Sequence, residues 1–247
     1  MRRIYFVLDE PISFFTAVFD AYKDTTALIT SSKRFQTAIG DEFIQVNADE
    51  EKAKRVVKKL KEIDFRAVRE IDFILRSNAE EKEQVAFEYL KLVIRYGKSA
   101  REKLSLAPIR EMQDITSRVS FEIHRLHGFL RFQELEDGTL YAPFDSDNDV
   151  LDLLMPHFIR RYKNCPFVLH DVKRKTATIY NGADWILVPV ENAEIRLSKR
   201  EEYTQSLWKK YYNTVAIPMR KNTRQMKHYM PVRYWKFMLE KDGETGK

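Results

Sequence analysis

Residues able to carry acid–base chemistry gather in the middle of the 247-residue chain. Glu122, His124, Asp149, His157 and Asp171 are interleaved with Arg125, Arg131, Arg160 and Arg174. Brought into one pocket, such a His/carboxylate/Arg set can move protons or hold a metal against a phosphodiester. A DNA-acting enzyme, hydrolase or glycosylase-like, is therefore one expectation. Buried ion pairs fixing a sheet against helices would give the same pattern. Side chains converging on a cleft favour chemistry, and charges paired off without one favour structure.

Asp145-x-Asp147-x-Asp149 has the opening spacing of a calcium loop. Val150 stands where glycine is needed, and Pro156 where the bidentate glutamate belongs, so a strand-to-helix loop with helix-capping carboxylates is the better reading, with a Mg²⁺-type site on one or two of these carboxylates as the alternative. His124 and His127 can share a helix face, but zinc needs two further ligands. HExxH, CxxC, the nucleophile elbow and the glycine-rich phosphate loop are all missing, so neither metal nor cofactor is expected. Cys165, between Asn164 and Pro166, reads as an inert thiol.

A second chemistry sits at the C-terminal end. Arg196–Lys247 holds 13 Lys/Arg and 5 Asp/Glu, a net of +8, whereas Met1–Ile195 holds 30 and 32, a net of −2. Such a concentrated positive field attracts polyanions. The same segment carries Tyr203, Trp208, Tyr211, Tyr212, Tyr229, Tyr234, Trp235 and Phe237. A disordered tail is poor in such rings, so this one is expected to fold onto the body. Arg220-Lys221-Asn222-Thr223-Arg224 falls where a helix should begin, and free N–H groups with flanking cations make a phosphate site. Lys209, Lys210, Lys227, Arg233 and Lys236 extend the field, and Trp208, Tyr212, Tyr229 and Trp235 could stack on bases. The plainer alternative is that the rings are core and the cations solvated.

These residues must be placed by the elements around them. Ile4–Leu8 and Glu42–Val46 read as strands. Pro11 opens a helix to about Lys23. Asp49 caps a helix bearing Ala53, Val56, Val57 and Leu60, and Phe65–Arg76 forms another. Ala79–Tyr96 is helical and stops at Gly97. After Pro108, Ile109, Met112, Thr116, Val119, Ile123 and Leu126 recur at helical spacing. Beyond Gly128 the pattern alternates. Phe129–Leu135 and Leu140–Phe144 flank the hairpin signal Asp137-Gly138. Asp149–Tyr162 is a helix containing Pro156. Phe167–His170, Thr176–Tyr180 and Trp185–Val188 are strands, with Asn181-Gly182 as a second hairpin turn. Ser198 and Glu201 form a capping box before the helix bearing Tyr203, Leu207 and Tyr211, and Asn222 caps a short last helix ending before Pro231. The expected fold is α+β: a helical first half with one or two strands, a central antiparallel sheet with two hairpins, and a basic helical end. A division into 1–106 and 107–247 is expected, unless the two form one continuous domain.

Composition sets outer bounds. Hydrophobic residues are 44% and charged residues 32%, which excludes wholesale disorder. No apolar run is long enough for a membrane span or a secretory signal, so no membrane partner is expected. A single cysteine points to a reducing, cytoplasmic compartment.

Several segments together resemble a known family. They are Glu122-Ile-His124-Arg125-Leu-His-Gly128-Phe129-Leu-Arg131-Phe132, Asp147-Asn-Asp149 with His157-Phe158-Ile-Arg160-Arg161, and His170-Asp171-Val-Lys-Arg174. The closing signature is Trp208-Lys-Lys-Tyr211-Tyr212, Arg220-Lys-Asn222-Thr-Arg224 and Met230-Pro231-Val-Arg233-Tyr234-Trp235. With Tyr5…Asp9 and Phe15…Phe19…Tyr22, these are similar to a bacterial family of DNA metabolism and DNA repair proteins built on a domain of unknown function. That domain also occurs fused to a uracil-DNA-glycosylase-like domain, or alone beside a radical S-adenosylmethionine protein. Glu10 replaces the family's usual glycine, and Met238-Leu239-Glu240 its usual Leu-Pro-Glu. One cysteine cannot hold the radical enzyme's cluster, so the resemblance implies the partner role. The leading expectation is a DNA-binding accessory protein that presents nucleic acid to such a partner. A protein–protein scaffold is the third possibility.

Overall fold

The computed structural model describes residues 2–32, 35–191, 194–217 and 222–241. The chain forms two compact units, Met1–Ser120 and Phe121–Lys247.

In the first unit, β1 (Arg3–Phe6), β2 (Ala27–Thr30) and β3 (Glu42–Gln45) form a parallel sheet in the order β2-β1-β3. Pro11 opens α1 (Pro11–Ala21), a position where its missing N–H costs nothing. Phe14, Phe15, Ala17, Val18 and Ala21 of α1 are buried. Asp49 caps α2 (Glu50–Leu75) by accepting from the N–H groups of Glu51 and Lys52. The two helices expected here are present within α2, separated by a kink at Asp64, whose φ of −155° and ψ of 106° are extended. Arg101 donates to the buried Asp64 carboxylate at 2.5 Å and also pairs with Glu70, which accepts from Tyr89 Oη. Burial, then the Glu70 carboxylate, raises the Tyr89 hydroxyl's pKa. α3 (Lys82–Tyr96) ends at Gly97, whose φ of +61° suits glycine. The 3-10 segment Gly97–Glu102 leads to α4 (Ala107–Phe129).

In the second unit, the sheet order is β4 (Gln133–Glu134), β5 (Leu140–Phe144), β6 (Phe167–Asp171), β7 (Thr176–Tyr180) and β8 (Trp185–Pro189). Every pair is antiparallel except β5 and β6, which α5 (Leu151–Tyr162) connects as a crossover. Phe167 lies between Leu140 and Tyr180 in register, and Leu169 between Ala142 and Thr178. Leu151, Leu154, Met155 and Phe158 of α5 are buried. Phe132, Phe158, Tyr162, Phe167 and Tyr180 make a chain of ring contacts 4.5–6.4 Å between centroids. The first expected hairpin shrinks to a two-residue β4. Leu135 instead bridges Leu197, while Glu136 and Ser198 exchange backbone bonds with Arg196 and Glu134. α6 (Lys199–Val215), α7 (Thr223–Tyr229) and the 3-10 segments Val232–Phe237 and Leu239–Lys241 complete the unit. The fold is α+β, and among the described residues no helix is long and apolar enough to cross a membrane.

Candidate nucleic-acid interface and its buried polar support

The second unit is organised around the loop 145–149 between β5 and α5. Glu122, on the last turns of α4, is 2% exposed. Its two oxygens accept from the backbone N–H groups of Asp147 and Asn148, both at 2.9 Å, and from Asn148 Nδ2 at 2.5 Å. Arg233 donates to the same carboxylate at 3.1 Å and Tyr234 Oη at 3.4 Å. Arg233 also pairs with Asp147, and Lys236 with Asp145 at 2.7 Å. Burial holds the Tyr234 hydroxyl's pKa above its usual value. The three carboxylates that suggested a calcium loop thus receive different treatment. Asp145 and Asp147 bind cations of the closing segment, and Asp149 is exposed.

Asp171 secures the other side of the loop. It is fully buried at the end of β6. One oxygen accepts from the N–H groups of Lys173 and Arg174, and the other from Ser146 Oγ at 3.0 Å and Arg174 Nη1 at 2.9 Å. Arg174 further donates to the carbonyls of Ser146 and Asp147. Glu122 and Asp171 therefore share one loop, and their oxygens carry donors throughout. Ser146, Asn148 and Tyr234 were not legible as its partners in the sequence, because they lie up to 112 positions from the residues they bind.

The histidines take separate places. His127 and His157 stack with centroids 4.0 Å apart, and their buried Nε2 atoms have no hydrogen-bond partner. Burial, then the charges of His157, His124 and Arg160, lowers His127 to a pKa of about 4, and burial lowers His157 as well. His124 and Arg160 are exposed, and Arg125 is partly so. His170 Nδ1 meets Tyr141 Oη at 2.7 Å, and burial lowers the imidazole pKa against the opposing charge of Asp171. Among the described residues, no group of three or more His, Cys, Asp or Glu side chains could hold a metal ion.

At the C-terminal end, several residues expected to face nucleic acid turn inward. Trp235 is 4% exposed and its Nε1 donates to the Met230 carbonyl at 2.9 Å. Lys241, 1% exposed, lies over the rings of Tyr212 and Trp235 and donates to Tyr212 Oη at 3.0 Å. Both rings thus enclose a lysine, a contact the spacing alone did not reveal. Trp208 is 40% exposed, but its Nε1 donates to Glu240, which also pairs with Arg131 at 2.7 Å. Burial pushes the Glu240 carboxyl pKa up, but Arg131 and Trp208 outweigh it and hold it below its ordinary value. Lys209 is partly buried, and Arg233 is held by Glu122 and Asp147.

Other cations remain on the surface. Lys199, Arg200 and Lys210 of α6 and Arg224 and Lys227 of α7 are exposed, and no ion pair joins them to other described residues. Asn222 caps α7 by accepting from Gln225 N–H. Arg220 and Lys221 lie outside the described residues. Ser198 caps α6 through Glu201 N–H, but the returning bond of the expected capping box is diverted, because Glu201 Oε2 accepts from Glu134 N–H instead.

Fold and site define the second unit as a mostly antiparallel sheet with an internally saturated polar loop and, on its closing helices, basic side chains without ion-pair partners among the described residues. The family profile of DUF4130, a domain of unknown function, matches residues 80–240, and the chain belongs to that family. No curated protein and no solved structure matches the chain.

Proposed function

We propose that this protein is a DNA-binding accessory component of a DNA repair or modification system, presenting nucleic acid to a radical S-adenosylmethionine partner. The observation that carries the reading is the surface charge of α6 and α7. Lys199, Arg200, Lys210, Arg224 and Lys227 point to solvent without carboxylate partners among the described residues, while Glu122, Asp147, Asp171 and Glu240 are committed to internal bonds and Glu202 is the exposed acid of α6. Unneutralised lysines and arginines beside exposed rings are the usual electrostatic footprint of nucleic-acid contact. The partner rests on the resemblance of the central and closing motifs.

Labelled DNA titrated with the full chain in a salt series tests this. Affinity should fall with salt at a slope of about −0.9 per duplex phosphate contact. Arg224→Glu combined with Lys227→Glu should weaken binding while leaving the circular dichroism spectrum unchanged. Salt-independent or absent binding would move the basic face to an acidic protein partner.

A further inference from the structure

The helix α6 turns an unexpected stripe to solvent. Tyr203, Leu207 and Tyr211 recur every four residues and are 64%, 47% and 58% exposed. At 100° per residue they share one side of the helix with Lys199, Arg200, Ser206, Lys210 and Thr214, all exposed. That side holds three cations, and the exposed Glu202 stands at its edge, one turn from Lys199 and Ser206. The opposite side, with Glu201, Gln205 and Tyr212, turns inward, and Glu201, one of the two acids of the helix, is spent on Glu134 N–H and Gln205.

We propose that the outer face of α6 is a stacking platform for single-stranded nucleic acid. This rests on the nucleic-acid reading above and narrows it to unpaired strands. Exposed aromatic faces framed by cations suit bases and phosphates together. A duplex keeps its base faces stacked on their neighbours and offers the rings nothing, so the rings select for the single strand. Tyr203 and Tyr211 are about 12 Å apart along the axis at 1.5 Å per residue. That exceeds a single stacked step of about 3.4 Å, so the rings take bases that are splayed apart or not sequential. A protein partner would be expected to balance the three cations with acids, and is the competing occupant of this face.

The test is fluorescence anisotropy of one labelled oligonucleotide, single-stranded and in duplex, against the full chain. Wild type should prefer the single strand. Tyr203→Ala and Tyr211→Ala should each weaken single-strand binding by about 5- to 150-fold, the usual range for one lost base stack. Duplex affinity should stay unchanged, and Tyr203→Phe and Tyr211→Phe should retain binding. Binding of both forms by every variant equally well overturns the platform but leaves the nucleic-acid reading standing, and assigns the stripe to a protein partner. Binding of neither form by wild type overturns both.

Discussion

Replacing Glu122 is the most direct probe of the polar loop. In Glu122→Ala the N–H groups of Asp147 and Asn148, the Asn148 amide and the Arg233 guanidinium lose their common acceptor. Leaving a buried donor unmet costs about 1–3 kcal/mol, and breaking a buried ion pair about 3–5 kcal/mol. These losses overlap, so a total of about 3–5 kcal/mol is expected. With a urea m-value of about 2 kcal/mol/M, the unfolding midpoint falls by roughly 2 M. All three tryptophans, Trp185, Trp208 and Trp235, belong to the second unit, so their fluorescence reports that unit specifically. Arg233→Met should cost less, about 1.5–3 kcal/mol, because Glu122 then keeps its three other N–H donors. A midpoint shift under about 0.5 M for Glu122→Ala, or a larger loss for Arg233→Met, would refute the view that this carboxylate is the hub.

Three other outcomes follow from local geometry. His127 is held neutral well below the ordinary imidazole range, so the unfolded chain binds more protons than the folded one between pH of about 6.5 and about 4. Stability should be full above that window and fall as pH drops through it; urea midpoints of His127→Phe should show a shallower decline, and an identical slope would contradict the assignment. Gly182→Ala should destabilise the second unit by about 1–3 kcal/mol, since its φ is +100° and an added Cβ would lie 3.0 Å from the Asn164 carbonyl oxygen. Ser198→Ala should cost about 1 kcal/mol by removing the α6 cap, measured by the same fluorescence assay.

Much of the secondary structure was legible because it rests on local chemistry. Pro11 marks a helix start through its fixed φ and missing N–H, and Asp49, Gly97, Ser198 and Asn222 mark helix ends through their own backbone or side-chain bonds. What sequence reading missed depends on distant partners. β2 is four residues long, Ala27–Thr30, and exists because β1 lies beside it. The spacing placed a helix break just before Phe65 but not the Arg101 that pairs with Asp64 there, and the shortened β4 goes with the bridge between Leu135 and Leu197. On α6, spacing marks Tyr203, Leu207 and Tyr211 as a stripe, yet periodicity cannot say which stripe faces inward. Here the inner side is the more polar one. The motif residues Glu122, Asp171 and Arg174 were visible as a group, but their role in fixing one loop was not, and Arg233, read as part of the basic field, joins them there instead.

The Glu122 cluster has a consequence for synthesis. Its carboxylate comes early in the second unit, while two of its donors, Arg233 and Tyr234, come 111 and 112 residues later. Chains grow at about 5–20 residues per second, so several seconds separate the acceptor from its last donors. During that interval the loop 145–149 can meet Glu122 and Asp171 but lacks its final clamp. A chain stopped short of Arg233 would retain a partly undocked loop and an uncovered Phe129 ring, which Tyr234 normally contacts at 5.5 Å. The cluster thereby couples synthesis of the segment bearing Arg233 and Tyr234 to closure of the loop onto Glu122.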